Sequence, residues 1–364
     1  MTNKLVLSNL KHRPVRTFLS LLAIGVEVCM MLTLVGLSEG MLEDAARRAT
    51  GVGADILIRA PGTSLISMSS ASLSEKYLSF FLEQPHVRLA VGTVEQPTGG
   101  VSTVTGLDLA EFNAMSGGFK FLAGRPFQND REVIVDDYYA RQNNLSVGST
   151  LNLLNLEWRV CGIVEPGKLA RVVVQRRVLQ DLTGSTGKLS RIFLKLDDPA
   201  NTDKVLADLK EKLPDFPMYS MAELTSLYSV SNVPGLSAFI GVIIALSIIV
   251  GFLVVFLSMY TAVLERTREV GILKALGASP FYILNIIFRE TAILAIAGSV
   301  LGIVLTYGSR WAVMVFAPAA LTQKIVPDWW PIAGAIAFAG AMLGAFYPAW
   351  KAAGQDAIEA LSYE

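Results

Sequence analysis

Glu265-Arg266-Thr267-Arg268-Glu269-Val270-Gly271-Ile272-Leu273-Lys274-Ala275-Leu276-Gly277-Ala278-Ser279-Pro280 is a short charged stretch wedged between two long apolar runs. Charges alternate in sign at Glu265, Arg266, Arg268, Glu269 and Lys274, while Val270, Ile272, Leu273 and Leu276 recur at helical spacing. Gly277 is placed to stop such a helix, Ser279 to cap the next one and Pro280 to open it. The stretch reads as a surface helix that joins two membrane-spanning helices. Whatever it contacts lies just outside a bilayer.

Composition supports that frame. Of 364 residues, 52% are hydrophobic and only 17% charged, whereas a soluble domain carries roughly 25% charged residues. Mean hydropathy is +0.48. The formal net charge of +0 argues against a nucleic-acid binder, whose footprint is a basic patch. Cys29 falls in an apolar run and Cys161 in a polar region, so no disulfide and no CxxC chemistry is expected. His12 and His86 lie far apart and form no metal-ligand cluster.

Outward from the opening stretch, the chain divides by hydropathy into alternating segments. Residues 1–16 hold Lys4, Lys11, Arg13 and Arg16 and no acid, and residues 17–38 are apolar over a length that spans a bilayer. The run exceeds the usual h-region of about 7–15 residues and no A-x-A site follows, so a retained helix is expected and not a signal peptide. Residues 39–235 are polar and mixed. A second span covers 236–264, and the charged helix occupies 265–280. A third span covers 281–316, an outer loop 317–328, a fourth span 329–350 and a tail 351–364. As a helix the second run is about 43 Å long, more than the roughly 30 Å hydrocarbon core, so it should tilt or project. The basic flank places the N-terminus in the cytoplasm. Four spans then put the C-terminus and the charged helix inside as well, and the large domain outside.

That domain interleaves strand and helix signals. Strands are expected at Ala54–Arg59, Val87–Val94, Val101–Thr105, Glu132–Val135, Thr150–Leu154, Arg159–Val164, Arg171–Val174 and Arg191–Leu196. Helices are expected at Ser72–Glu83, Leu109–Met115, Asp137–Asn143, Thr202–Lys212 and Met221–Val230, and Met41–Arg48 should extend the first span as a stalk. The fold class is therefore a membrane protein with four transmembrane α-helices and an α+β extracytoplasmic domain inserted between the first and second spans.

One polar residue breaks the first span. Glu27 sits near its middle, where a carboxylate costs about 3 kcal/mol, so it should face a partner helix or a wet cavity. It reads either as a carboxyl hydrogen-bonded to a neighbouring helix or as a relay or substrate contact. Catalytic patterns are missing elsewhere. Gly184-Ser185-Thr186-Gly187-Lys188-Leu189-Ser190 has the wrong spacing for a phosphate loop, and Leu189 stands where the Walker motif needs Ser or Thr. There is no His-Glu-x-x-His or Cys-x-x-Cys. The layout suggests a machine whose energy comes from a partner, with the helix at 265–280 as the docking surface.

At this point the residues suggest a family. The chain resembles ABC transporter permeases of the MacB, LolC/LolE and FtsX type. Three blocks carry the likeness: Glu265–Ala278, Tyr347–Glu364 (YPAWKAAGQDAIEALSYE), and Gly124-Arg125-Pro126-Phe127 with Glu132–Asp136 and Val147–Leu151. The resemblance implies that Glu265, Arg266, Arg268, Glu269, Val270, Gly271, Ile272, Leu273, Lys274, Leu276 and Gly277 form a coupling helix seated on an ATPase. It implies two copies of an ABC ATPase subunit that bind ATP and magnesium, with no cofactor in this chain and the ATPase expected as a separate subunit. A second permease copy or paralogue completes a dimer in a bacterial inner membrane, with lipids around it and a periplasmic adaptor or lipoprotein acceptor as a further partner. The expected function is mechanotransmission that extrudes a lipoprotein, lipid, peptide or amphiphilic drug. The alternative is FtsX-like signalling, in which the outer domain activates a cell-wall hydrolase and nothing is moved.

Overall fold

A computed structural model describes residues 11–12, 14–63, 72–99, 102–233 and 235–356, and the chain divides into two compact units. Unit one combines residues up to Ser38 with Gly235–Ala312 and the segment from Gln323 onward. Unit two comprises Glu39–Pro234 and Val313–Thr322.

The four long apolar helices are α1 (Pro14–Thr50), α8 (Leu236–Glu265), α10 (Pro280–Phe316) and α11 (Trp329–Gly354), each apolar enough to cross a membrane. Between α8 and α10 lies the short helix α9 (Thr267–Ala275). Helix α1 runs without interruption through the stretch expected as a stalk. Helix α11 continues past residue 350 to Gly354, so the first residues of the expected tail are helical, and Pro348 sits inside it.

Small residues set how the spanning helices pack. Lipid tails are as apolar as leucine, so close backbone approach and dispersion must hold the bundle. Along α11, Ala333, Ala337, Ala341, Ala345 and Ala349 repeat every four residues and are all buried. Where α10 crosses α1, a Cβ on Gly298 would lie 2.7 Å from Ile24 Cβ, and one on Gly302 would lie 2.6 Å from the Gly25 carbonyl oxygen. Only glycine fits those two crossings.

Unit two is built on ten strands. They are β1 (Ile56–Arg59), β3 (Val87–Gly99), β4 (Ser102–Leu107), β5 (Phe121–Gly124), β6 (Glu132–Asp136), β7 (Thr150–Leu153), β8 (Leu156–Val164), β9 (Val172–Gln175), β11 (Arg191–Leu196) and β12 (Met218–Ser220). They run in the order β12-β1-β11-β3-β4-β9-β6-β8-β5, with β7 on β8. Strand β3 is longer than its alternation suggests because it serves two partners in turn: Val87–Thr93 pairs with β11 and Val94–Gly99 with β4. It thereby joins two sub-sheets.

Both sheet faces are covered. On one face Ile56, Ile58, Val133, Val135, Val172, Val174, Ile192 and Leu194 pack under α2 (Tyr77–Leu82), α5 (Arg176–Leu182) and α6 (Thr202–Lys212). On the other, Leu57, Val91, Ile134, Val173 and Phe193 meet α3 (Leu109–Ser116) and α7 (Met221–Leu227). Helix α4 (Asp137–Gln142) follows β6, with Asp136 as its N-cap.

Two expectations need correction. The helix expected over Ser72–Glu83 starts only at Tyr77, because Leu73–Ser74 (β2) pairs with Lys188–Leu189 (β10) and buries both leucines. Helix α5 was not expected, since Arg176, Arg177, Gln180 and Asp181 dilute its apolar pattern. Residues 313–322, from the end of α10 onward, group with unit two, where the Gln142 side-chain carbonyl accepts from Ala319 and Ala320 at 2.9 and 3.2 Å.

Candidate functional site

Only Arg266 separates α8 from α9, and local chemistry explains the break. Thr267 donates its hydroxyl back to Leu264 O at 2.9 Å and Val263 O at 3.2 Å, adding to the Arg266 N–H that reaches Val263 O at 3.1 Å. At the other end Gly277 takes φ +92°, Ala278 N donates to Leu273 O and Gly277 N to Lys274 O, both at 2.9 Å. That pair is the hydrogen-bond pattern of a left-handed glycine cap. Ser279 Oγ then accepts from Tyr282 N at 3.3 Å and starts α10. Gly277, Ser279 and Pro280 thus hold the roles expected of them.

The residues of this stretch divide into three groups. Thr267 and Gly271 are buried, and Val270 packs on a cluster of Val263, Ile283 and Ala352. Arg268, Glu269, Ile272, Ala275, Leu276 and Gly277 face outward, with Leu276 80% exposed. The remaining charged residues are held within unit one. Arg266 Nη1 lies 3.1 Å from Glu290 Oε2, Arg16 Nη2 lies 3.1 Å from Glu290 Oε1, and Arg16 Nη1 lies 3.8 Å from Glu265. Glu290 is buried within α10, and the two arginines share its two oxygens. Lys274 donates to Ala353 O at 2.7 Å and also to Gln355 O, capping the C-terminus of α11.

A mainly apolar cavity of about 330 Å³ lies beneath the helix. Val263, Val270, Leu273, Ile283 and Ile286 line it, Arg266 and Glu290 supply polar groups, and the partly outward Glu269 and Ile272 also border it. Leu273 therefore looks inward, whereas Leu276 does not.

Glu290 and Arg16 escaped the sequence reading. The available signal was an acid in the first turns of the third apolar run, with arginines at the ends of two other spans.

Glu27 is 6% exposed and lies against Gly251 of α8, where any side chain would collide with its carboxylate. It makes no hydrogen bond among the described residues, and Oε1 is buried without a partner. Of the two readings, contact with a neighbouring helix is met in position but not in hydrogen bonding.

The Gly-Arg-x-Phe block is a structural staple. Arg125 grips buried Glu132 through Nη2–Oε1 at 2.6 Å and Nη1–Oε2 at 2.9 Å. Glu132 also accepts from Gln128 N and Asn129 N at 2.6 and 3.2 Å. The Arg125 bond, aided by those amides, holds the Glu132 carboxyl down at about 2. Gly124 has φ +81° with the Cys161 carbonyl packed against its Cα, so no side chain fits there. The Gly184–Ser190 segment is a turn into β10, held by the Gln180 side-chain amide donating to Lys188 O at 2.9 Å. Part of the C-terminal block, residues 357–364, lies outside the described residues.

Four spans, a globular insert between the first two and a charged helix between the second and third define a multi-pass membrane protein of permease type. The chain belongs to the MacB- and FtsX-type ABC transporter permeases: residues 17–212 match the MacB-like periplasmic core domain, and residues 241–357 the FtsX-like permease C-terminal family. A macrolide export ATP-binding/permease protein MacB of Marinobacter nauticus is 26% identical, covering 96% of this chain and 58% of its own length. An uncharacterized ABC transporter permease of Methanocaldococcus jannaschii is 27% identical over 65% of this chain and 63% of its own. The chain thus spans 58% and 63% of the length of these two relatives. The uncharacterized ABC transporter permease YknZ of Bacillus subtilis is 39% identical over 35% of this chain and 32% of its own. Among solved structures, the periplasmic region of MacB from Actinobacillus actinomycetemcomitans covers 51% of this chain and 96% of its own, with a TM-score of 0.38 and 16% identity.

Proposed function

We propose that the chain is the permease component of an ABC system in which α9 seats an ABC ATPase. ATP-driven closure of two ATPases, acting on a permease dimer, would move α9 and with it α8 and α10. The inserted domain would follow through α1 and α8. Both termini and α9 would face the cytoplasm of a bacterial inner membrane, and the inserted domain the periplasm. Cargo extruded in this way would be a lipoprotein, lipid, peptide or amphiphilic drug, held by the moving domain without crossing the bilayer.

The observation that carries this reading is the division of labour in one short helix. Its outward face offers Arg268, Glu269, Ile272 and Leu276, while Arg266 and Lys274 fasten the same helix to α10 and α11. A contact that transmits force needs both a free face and stiff attachments. The test is co-purification of an ABC ATPase with the Leu276→Glu/Glu269→Lys variant. We expect partner loss of at least tenfold with unchanged membrane insertion. Undiminished co-purification would remove α9 from the interface.

A further inference from the structure

On the face of the sheet that carries Leu57 and Phe193, unit two holds a cavity of about 400 Å³. Asp44 and Arg48 of α1, Arg171, Arg191, Glu95 and Tyr228 are among the residues around it. Two of its arginines have carboxylate partners. Arg171 lies 2.7 Å from Asp44 and 3.0 Å from Asp136, and Arg48 Nε lies 3.2 Å from Asp44. Arg191 has one partner, Glu95, at 2.7 Å.

Arg59 differs from all of these. It pairs directly opposite Arg191 across β1 and β11, so both side chains leave the same face of the sheet; Arg191 and Phe193 line the cavity, and Arg59 stands next to that lining, not in it. Arg59 is 7% exposed, yet its guanidinium makes no hydrogen bond or ion pair among the described residues. Thr93, opposite Arg191 on the other side, is wholly buried with its hydroxyl also unpartnered. Elsewhere in the domain, buried arginine is paired: Arg176 meets Glu111, Glu75 and the Gly92 carbonyl. Like charges set opposite each other in a sheet destabilise it, and so does a buried charge without a partner. Burial first, and then the charge of Arg191, push the Arg59 guanidinium below its ordinary value. Four guanidiniums (Arg48, Arg59, Arg171, Arg191) meet three carboxylates (Asp44, Glu95, Asp136), so the cluster has one uncompensated positive charge.

We propose that this cavity binds a phosphate-type oxyanion, received by Arg59 and Arg191 with the Thr93 hydroxyl behind them. The anion would supply the missing partner for Arg59, and arginine presents the planar fork that matches phosphate geometry. Two sources share that chemistry: free phosphate and the headgroup of an anionic phospholipid, whose acyl part would lie on Met41, Leu42 and Leu169 of the same cavity. A ligand there would touch the Asp44–Arg48 turn of α1 directly. The site stands on its own geometry and is independent of the role given to α9.

The experiment is calorimetric titration of the full chain in a non-ionic detergent with inorganic phosphate and, separately, dihexanoyl phosphatidylglycerol. Binding of both at similar strength identifies an ion site, and binding of the lipid alone identifies an amphiphile site. Arg59→Met should weaken binding at least tenfold while leaving the melting temperature of the ligand-free protein equal or higher, which a structural arginine would not do. Glu95→Gln frees Arg191 and should tighten binding severalfold, and it carries the test if Arg59→Met does not fold. Failure of both probes to bind at millimolar concentration would overturn the proposal. So would an Arg59→Met affinity within twofold of the wild type, or weaker binding by Glu95→Gln.

Discussion

Lys274 on α9 donates to the backbone carbonyl of Ala353 on α11 at 2.7 Å, so the connecting helix is fastened to the last span by a cation on its open carbonyls. A helix end carries about half a negative charge spread over unsatisfied C=O groups, and an ammonium there is worth roughly 0.3–1 kcal/mol when exposed and more when partly buried. Lys274→Met should therefore fray the last turn of α11. Amide exchange across Ala349–Gln355 should quicken by several-fold, while exchange in the middle of α11 holds. Unchanged protection at that end would mean the lysine caps nothing.

Glu290 is the shared anion of Arg16 and Arg266. Its replacement by glutamine removes the carboxylate that both guanidiniums share, and losing one partner of a buried pair costs about 3–5 kcal/mol. We expect a large fall in the melting temperature of Glu290→Gln in detergent. Adding Arg266→Met removes one of the two positive charges and should recover part of the loss. Strict additivity of the two substitutions would show that the residues act separately.

Acid should loosen the inserted domain through Glu132. Its carboxyl is held at about 2, below the ordinary glutamate value of 4.5. A depressed carboxylate contributes stability that is complete above the unfolded value and is lost as pH falls toward the folded one. Melts of the full chain should therefore shift downward between about pH 4.5 and pH 2. Asp136, raised mainly by burial, responds in the opposite sense, so comparison with a variant is needed. Arg125→Met removes the leading cause of the Glu132 shift and should flatten its share of the acid response. An identical pH profile in that variant would contradict the assignment.

The crossing of α1 and α10 tolerates nothing at Gly298. A valine there would drive its Cβ to 2.7 Å from Ile24 Cβ, and overpacking of this kind costs about 1–3 kcal/mol. At Gly308 of the same helix nothing lies within 4 Å of an added Cβ. Gly298→Val should lower the melting temperature, and Gly308→Val should leave it equal or higher. Equal effects at the two positions would mean that the crossing is looser than the distances indicate.

How much of this was legible in the sequence follows from what each signal depends on. Spans and caps are local: apolar length marks α1, α8, α10 and α11, and Gly277, Ser279 and Pro280 mark the ends of α9 and α10. The faces of α9 were only half legible. Alternating charge suggested that all of Glu265, Arg266, Arg268, Glu269 and Lys274 serve a partner, yet Arg266 and Lys274 find their partners at Glu290 and Ala353, far along the chain. Such pairing leaves no periodic trace. Strand β2 was lost for a similar reason, since Leu73 is a strand residue only because Leu189 lies beside it. The Arg59–Arg191 opposition arises from the register of β1 on β11, which no local pattern sets.

The central claim is that the outward face of α9 seats an ABC ATPase, and site-specific crosslinking tests it most directly. A photoreactive residue placed at Leu276, the most exposed apolar position of that stretch, should capture the ATPase in membranes. The same residue at Phe316, also exposed but at the far end of α10, should not. Capture at Leu276 alone is the predicted result. An ATPase crosslink from Phe316, or none from Leu276 when the complex is assembled, would contradict it.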